Sequence, residues 1–116
     1  MADVRTVDFE IDQYASFQTT VTWKDDDGTP INMTGYSVKM DIKTGYDGDL
    51  IVGLTSADDS IDLNEAAGQM TVTLTPVQTG AFSFVRAFYD IVVTSPTGFA
   101  TRILEGTFLL NKGITE

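Results

Sequence analysis

The sequence contains no cysteine and no histidine. Without them the chain has no disulfide, no thiol nucleophile, no serine–histidine triad and no structural zinc site with the usual ligands. Carboxylates, lysines, tyrosines and hydroxyls remain, and they can support a pair of catalytic carboxylates or a calcium site. Neither arrangement leaves a spacing signature here. We therefore expect no enzymatic activity, no catalytic residue, no bound cofactor and no transition metal.

Long apolar runs and basic residues are also scarce. No run approaches the roughly 18 apolar residues of a membrane span, and the acidic N-terminus, MADVRTVDFEID, does not resemble a secretory signal peptide. Seven basic residues against 17 acidic ones give a net charge of −10. A field of that sign repels phosphate backbones and anionic membranes. We expect a soluble protein, made in a cytoplasm, that binds neither nucleic acid nor membrane.

The clearest pattern lies at positions 17–43, FQTTVTWKDDDGTPINMTGYSVKMDIK. Its first part alternates apolar or small residues with polar ones up to Trp23, and its last part alternates again after Gly35. A period of two places alternate side chains on one face of a strand. The acidic run before Gly28 breaks the pattern and is typical of a turn. The stretch predicts two half-buried strands, with the lone tryptophan in the core.

The same alternation recurs along the chain and predicts strands at 7–11, 17–23, 36–42, 50–54, 61–63, 70–74, 86–94 and 99–110. Thr75 and Pro76 suit the N-cap and first position of a short helix over 76–82. Gly106 predicts a bulge or bend in the last strand. The pattern indicates one all-β domain over residues 1–116, an antiparallel β-sandwich of seven to eight strands, with loose ends at about 1–4 and 111–116.

Both faces of the strand at 86–94 are largely apolar, so we expect it to be central in its sheet. The last strand and the acidic first strand are the expected edges, and an edge can pair with a neighbouring chain. The predicted core consists of Phe9, Ile11, Phe17, Val21, Trp23, Val38, Met40, Ile42, Val72, Leu74, Tyr89, Ile91, Val93, Ile103 and Leu104.

Two candidate ligand sites have simpler structural interpretations. Asp25, Asp26 and Asp27 resemble part of a calcium loop, but the remaining ligands of such a loop are missing, and a solvated hairpin turn is the favoured interpretation. Asp47 and Asp49 around Gly48 have the same two interpretations. An aromatic binding surface is a further possibility, or simply core packing, for Tyr36, Phe82, Phe84, Phe88, Tyr89 and Phe99.

An ordered series of short motifs spans residues 9–115. It consists of Trp23-Lys24-Asp25-Asp26-Asp27-Gly28, Pro30-Ile31-Asn32-Met33-Thr34-Gly35-Tyr36, the strand Val38 to Lys43, Thr75 to Thr79, Tyr89-Asp90-Ile91, and Ser95-Pro96-Thr97-Gly98 leading to Gly106. The series resembles small virion proteins of tailed phages, related to the immunoglobulin-like N-terminal domain of siphophage upper baseplate proteins. Met33 stands where leucine is usual, and the 44–54 region is extended. Upper baseplate proteins continue into further domains, whereas this sequence covers the sandwich.

This resemblance implies an immunoglobulin-like fold and a non-enzymatic structural role in a virion. The protein would be a connector or attachment module in the tail, baseplate or neck, or alternatively a capsid decoration or head-fibre protein. Its partners would be other virion proteins, and we expect a homo-oligomer or a ring-associated subunit, held partly by exchange of strands or termini. A carbohydrate-binding module on the same kind of sandwich is the alternative from another class.

Overall fold

A computed structural model describes residues 5–25, 27–45, 48–58 and 60–112. Within these residues there are nine strands, which are β1 (Arg5–Thr6), β2 (Phe9–Asp12), β3 (Phe17–Thr22), β4 (Ser37–Lys43), β5 (Leu50–Thr55), β6 (Ile61–Asn64), β7 (Gln69–Leu74), β8 (Arg86–Thr94) and β9 (Ala100–Asn111). A single turn of 3-10 helix covers Glu65–Ala67, and one short helix, α1, covers Pro76–Gly80. The prediction of an all-β chain with one helical turn near 76–82 is confirmed.

The strands form two sheets. The larger has the order β1-β9-β8-β4-β5, with β2 also paired to β9, and the smaller has the order β3-β7-β6. The expected antiparallel arrangement is wrong at one edge, because β1 and β2 run parallel to β9. The number of strands is also higher than expected. The first predicted strand, 7–11, begins at Phe9 in the structure, and a separate two-residue strand, β1, precedes it.

One hydrophobic core lies between the sheets. Eleven of the predicted core residues are buried, and the other four, Phe9, Phe17, Val21 and Trp23, are partly buried and packed against them. Phe108 is fully buried and contacts the rings of Phe9, Phe17 and Tyr89 at centroid distances of 4.9–5.6 Å. The prediction omitted these buried residues: Met33, Leu54, Ile61, Met70, Phe82, Ala87, Phe108 and Leu110.

Helix α1 begins as its sequence predicts. The Thr75 hydroxyl accepts a hydrogen bond from Gln78 N at 3.2 Å, and the Gln78 side chain accepts one from Thr75 N at 2.8 Å. This reciprocal pair is a capping box, which satisfies two backbone donors at the helix start. Pro76 follows at a position where its missing N–H costs nothing.

Strand β9 differs from its prediction in three ways. It is paired on both sides, with β8 and with β1–β2, so it is not an edge. Its bulge falls at Ile103, because Leu104 pairs with Ile91 while Arg102 pairs with Val92. It also includes Asn111, expected in the loose tail, which pairs with Asp12. The remaining expected loose ends, 1–4 and 113–116, lie outside the described residues.

Gly106 serves close packing rather than a bulge. A Cβ at this position would overlap the carbonyl oxygen of Val7, so a side chain here would displace the link between β1 and β2. The prediction that β8 is central is confirmed, since it lies between β9 and β4. Across the described ranges, no helix has the length and apolar character needed to cross a lipid bilayer.

Candidate functional site

The acidic turn after Trp23 uses one of its carboxylates to hold its own backbone. Asp25 Oδ1 accepts hydrogen bonds from the backbone N–H groups of Asp27 and Thr29, both at 3.0 Å. Such bonds are typical of an Asx turn. They agree with the interpretation of this segment as a hairpin turn. Asp26 lies outside the described residues. Within the described ranges, no group of three or more acidic residues has the geometry of a metal site.

The second acidic candidate lies between β4 and β5. Asp49 N donates to Thr44 Oγ1 at 3.0 Å, and Thr44 N donates to Asp49 O at 3.0 Å. These bonds close the hairpin through Thr44 and the backbone of Asp49. Asp47, the other carboxylate of this candidate, lies outside the described residues.

The candidate aromatic surface is divided by the fold. Phe82 and Tyr89 are buried and Phe99 is 68% exposed, whereas Tyr36, Phe84 and Phe88 are half-buried. The rings of Phe82 and Phe84 pack together at 5.0 Å, and Tyr36 packs edge-on against Trp23 at 5.8 Å. Most of the set therefore packs internally, and Phe88 and Tyr89 border a pocket.

That pocket lies on the outer face of the larger sheet. Its volume is about 270 Å³ and it is lined by Asp41, Lys43, Gly45, Phe88, Tyr89, Asp90, Arg102 and Glu105. These residues come from β4, β8 and β9 and from the start of the β4–β5 hairpin. Except for Tyr89, whose ring packs in the core, the strand residues share the outer face because the three strands are adjacent and side chains alternate across a sheet. The sequence pattern alone does not bring these strands together.

Three carboxylates form one row across the floor of this site. Asp41 pairs directly with Asp90, and Asp90 pairs directly with Glu105. Like charges at directly opposite positions destabilise a sheet. The repulsion along such a row must therefore be reduced by neighbouring cations or by a ligand that donates hydrogen bonds to the carboxylates.

Cations lie beside two parts of the row. Arg102 Nε is 3.3 Å from Asp90 Oδ2, and its Nη1 is 3.9 Å from Glu105 Oε1. The bulge at Ile103 shifts the alternation by one residue, so that Arg102 and Glu105 both border the pocket. Lys39 Nζ is 3.7 Å from Asp41 Oδ2. The side chains of Arg102 and Lys39 are 53% and 64% exposed, so these ion pairs are solvated and weak.

Asp41 is the least satisfied member of the row. Its Oδ1 is shielded from solvent and has no hydrogen-bond partner among the described residues. The facing residue on β5 is Gly53, which has no side chain to offer a donor. A buried acceptor without a partner of this kind costs free energy in the folded state.

Tyr89 connects the pocket to the N-terminal segment. Its hydroxyl donates a hydrogen bond to Val7 O at 2.5 Å. Burial raises the pKa of Tyr89 well above its usual value of 10, and the charges of Asp8 and Glu105 raise it further. The phenol therefore stays protonated and remains a donor across the physiological range.

No family model matches this chain, and no curated protein matches it significantly. The class of ligand that suits the pocket is therefore inferred from its lining residues alone. Two aromatic residues, two basic side chains and three carboxylates line it. This combination suits a polar ligand with hydroxyl donors and a flat apolar face.

Proposed function

We propose that this protein is a non-enzymatic structural component of a tailed-phage virion, made in the host cytoplasm. It would serve as a connector or attachment module in the tail, baseplate or neck. The observation that carries the proposal is the strand order. A first strand parallel to the last one, on a sheet facing the β3-β7-β6 sheet, is the arrangement expected of an immunoglobulin-like sandwich. It supports the fold implied by the ordered motifs.

The motifs of the resemblance occupy turns and links at structurally defined positions. The Ser95–Gly98 turn is closed by Gly98 N donating to Ser95 O at 2.9 Å, and Gly98 has the positive φ of 91° that favours glycine. Met33, which replaces the usual leucine, is fully buried. Leucine and methionine have similar volumes, so this departure keeps the same packing role.

Exposed sheet edges support a connector role. In the described part of the chain, β5, β3 and β6 each have a neighbouring strand on one side alone. An edge with free backbone groups can bind a strand of a partner. The segment Leu50–Thr55 carries no charged side chain to oppose such pairing.

The test is to locate the protein. An antibody against the chain, imaged by electron microscopy on purified particles, should label the tail, baseplate or neck. Labelling of the capsid would favour the alternative of a decoration or head-fibre protein. Absence of the protein from purified particles, checked by mass spectrometry, would contradict the virion role.

Carbohydrate binding is a second candidate function, favoured by the pocket beside Phe88. Sugars stack an apolar face on aromatic rings and donate hydroxyl hydrogen bonds to carboxylates. A glycan array should identify bound sugars, and titration calorimetry should show that Phe88→Ala and Asp41→Asn each lose affinity. The matched control is Asp62→Asn, at an exposed position in the smaller sheet. Unchanged affinity in both pocket variants would exclude this site.

A further inference from the structure

The segment Arg5–Asp12 depends on contacts with residues that lie later in the chain. It pairs with β9 over both of its strands. Ile11 is 1% exposed in the core, and Asp8 Oδ1 accepts hydrogen bonds from Thr107 N and Thr107 Oγ1, both at 3.0 Å. A second copy of the chain offers the same strand, the same cavity for Ile11 and the same donors. Nothing in these contacts requires that the segment and its partners belong to one molecule.

The link between this segment and the rest of the domain is strained. Residues 13–16 connect β2 in the larger sheet to β3 in the smaller one. Tyr14 within the link has φ of 66°, and among the described residues no other non-glycine residue has a positive φ. The left-handed region is unfavourable for a residue with a bulky side chain. Opening the link would return Tyr14 to an ordinary extended conformation.

An apolar surface lies beside this link. Tyr14, Pro76, Val77 and Gly80 surround a shallow groove of about 330 Å³, and Val77 is 83% exposed. If the link opens, β2 extends away from its own domain at this end. Two domains that exchange segments are then linked at this end, beside Pro76, Val77 and Gly80 of each copy. Burial of this apolar surface would stabilise the pair.

We propose that two copies of this chain exchange their N-terminal segments, so that β1 and β2 of each copy pair with β9 of the other. The product is a closed two-fold dimer with the same contact made twice. The occupant of the β9 edge is thus a second copy. The net charge of −10 on each copy opposes the approach, so added salt should raise the dimer fraction. The proposal goes beyond a virion role and does not depend on it.

A disulfide between two different chains tests the exchange directly, because the sequence contains no cysteine. Glu10 and Leu109 are paired residues on adjacent parallel strands. Such Cα atoms lie about 5 Å apart, within the range that a disulfide bridges. Chains carrying Glu10→Cys and Leu109→Cys are mixed, unfolded in denaturant, refolded together and oxidised. A non-reducing gel should show a covalent heterodimer at several times the level of a control mixture.

The control mixture pairs Glu10→Cys with Thr20→Cys, an exposed position on the smaller sheet. Circular dichroism first establishes that each variant is folded. Equal heterodimer in the two mixtures would overturn the proposal. Native mass spectrometry of the unmodified chain after refolding gives an independent reading. A strictly monomeric chain at every salt concentration would overturn it as well.

Two further variants test the role of the link, and they act in opposite directions. Tyr14→Gly removes the strain and should lower the dimer fraction. Thr79→Val removes the hydrogen bond of 2.9 Å that Thr79 Oγ1 donates to Ala15 O in the closed form, and should raise the fraction. Dimer fractions that are unchanged in both variants would show that the link does not control exchange.

Discussion

Tyr89 combines a buried ring, a titratable group and a contact with the N-terminal segment. Its ring packs against Phe9 and Phe108 in the core, while its hydroxyl holds Val7 O. A buried carbonyl that loses its donor costs roughly 1–3 kcal/mol. One residue thus joins the core, the outer pocket and the attachment of β1–β2.

We predict that Tyr89→Phe changes the alkaline stability of the protein. The folded state binds the phenolic proton more tightly than the unfolded chain, whose pKa is near 10. Stabilisation from this group is therefore fully present below that pH and is lost as the pH rises above it toward the folded pKa. Melting temperatures from about pH 9 to about pH 11 should fall more steeply for the wild type than for Tyr89→Phe.

The control for this prediction is Tyr36→Phe, which removes a phenol outside the Val7 contact. Its melting temperature should follow the slope of the wild type over the same range. At neutral pH, Tyr89→Phe should itself be less stable by roughly 1 kcal/mol, because Val7 O loses its donor. Parallel slopes for the wild type and Tyr89→Phe would contradict the assignment.

At the scale of elements, local patterns predicted most strands and the helix. Alternation needs only neighbouring residues, and the capping box is contained within Thr75–Gln78. Pairing between distant strands carries no such local signal. The parallel contact of β2 with β9 joins residues 99 positions apart, such as Phe9 and Phe108, and it reversed the expectation that β9 is an edge.

The pocket could not be predicted from the sequence for the same reason. Asp41, Asp90 and Glu105 become one row only when β4, β8 and β9 are adjacent and in register. Arg102 reaches the row because of the bulge at Ile103. In the sequence, the bulge is indicated by two adjacent apolar residues, Ile103 and Leu104, which are both buried and interrupt strict alternation. Both residues were predicted as core, and that pair was the available signal for the bulge.

Attachment of the β1–β2 segment to β9 depends on Gly106. We predict that Gly106→Ala destabilises the domain by about 2 kcal/mol, since the added methyl group must displace Val7. Urea unfolding measures the loss. Hydrogen exchange at Val7 N, which donates to Glu105 O at 2.9 Å, should accelerate more than exchange in β7.

Gly45→Ala is the matched control for this substitution. A Cβ at Gly45 would meet no atom of the described residues within 4 Å. Its effect on unfolding should be close to zero, or slightly stabilising through the reduced freedom of the unfolded chain. Similar losses in the two variants would show that close packing against Val7 is not the cause.

At the scale of the whole molecule, excess negative charge acts across the full domain. The described structure measures 43 × 26 × 24 Å. The screening length is about 30 Å at 0.01 M salt and about 8 Å at 0.15 M. At low salt the charges on opposite faces therefore repel one another, and at physiological salt they are largely screened. Stability should rise with salt over this range.

The pocket row adds a local contribution to this repulsion, and two arginine variants separate the local part from the global part. Arg102→Gln and Arg86→Gln both change the net charge from −10 to −11. Arg102 lies beside Asp90 and Glu105, whereas Arg86 is exposed and has no ion pair within the described ranges.

At about 0.01 M salt, we expect Arg102→Gln to lose roughly 1 kcal/mol more folding stability than Arg86→Gln, which is the upper range for solvated ion pairs. The gap should narrow at about 0.15 M as screening weakens repulsion along the row. Thermal melts at both salt concentrations measure it, and a difference of 1 kcal/mol corresponds to about 4 °C for a domain of this size. Equal losses at low salt would mean that Arg102 does not stabilise the adjacent carboxylates of Asp90 and Glu105, and that solvent alone screens the repulsion between these two groups.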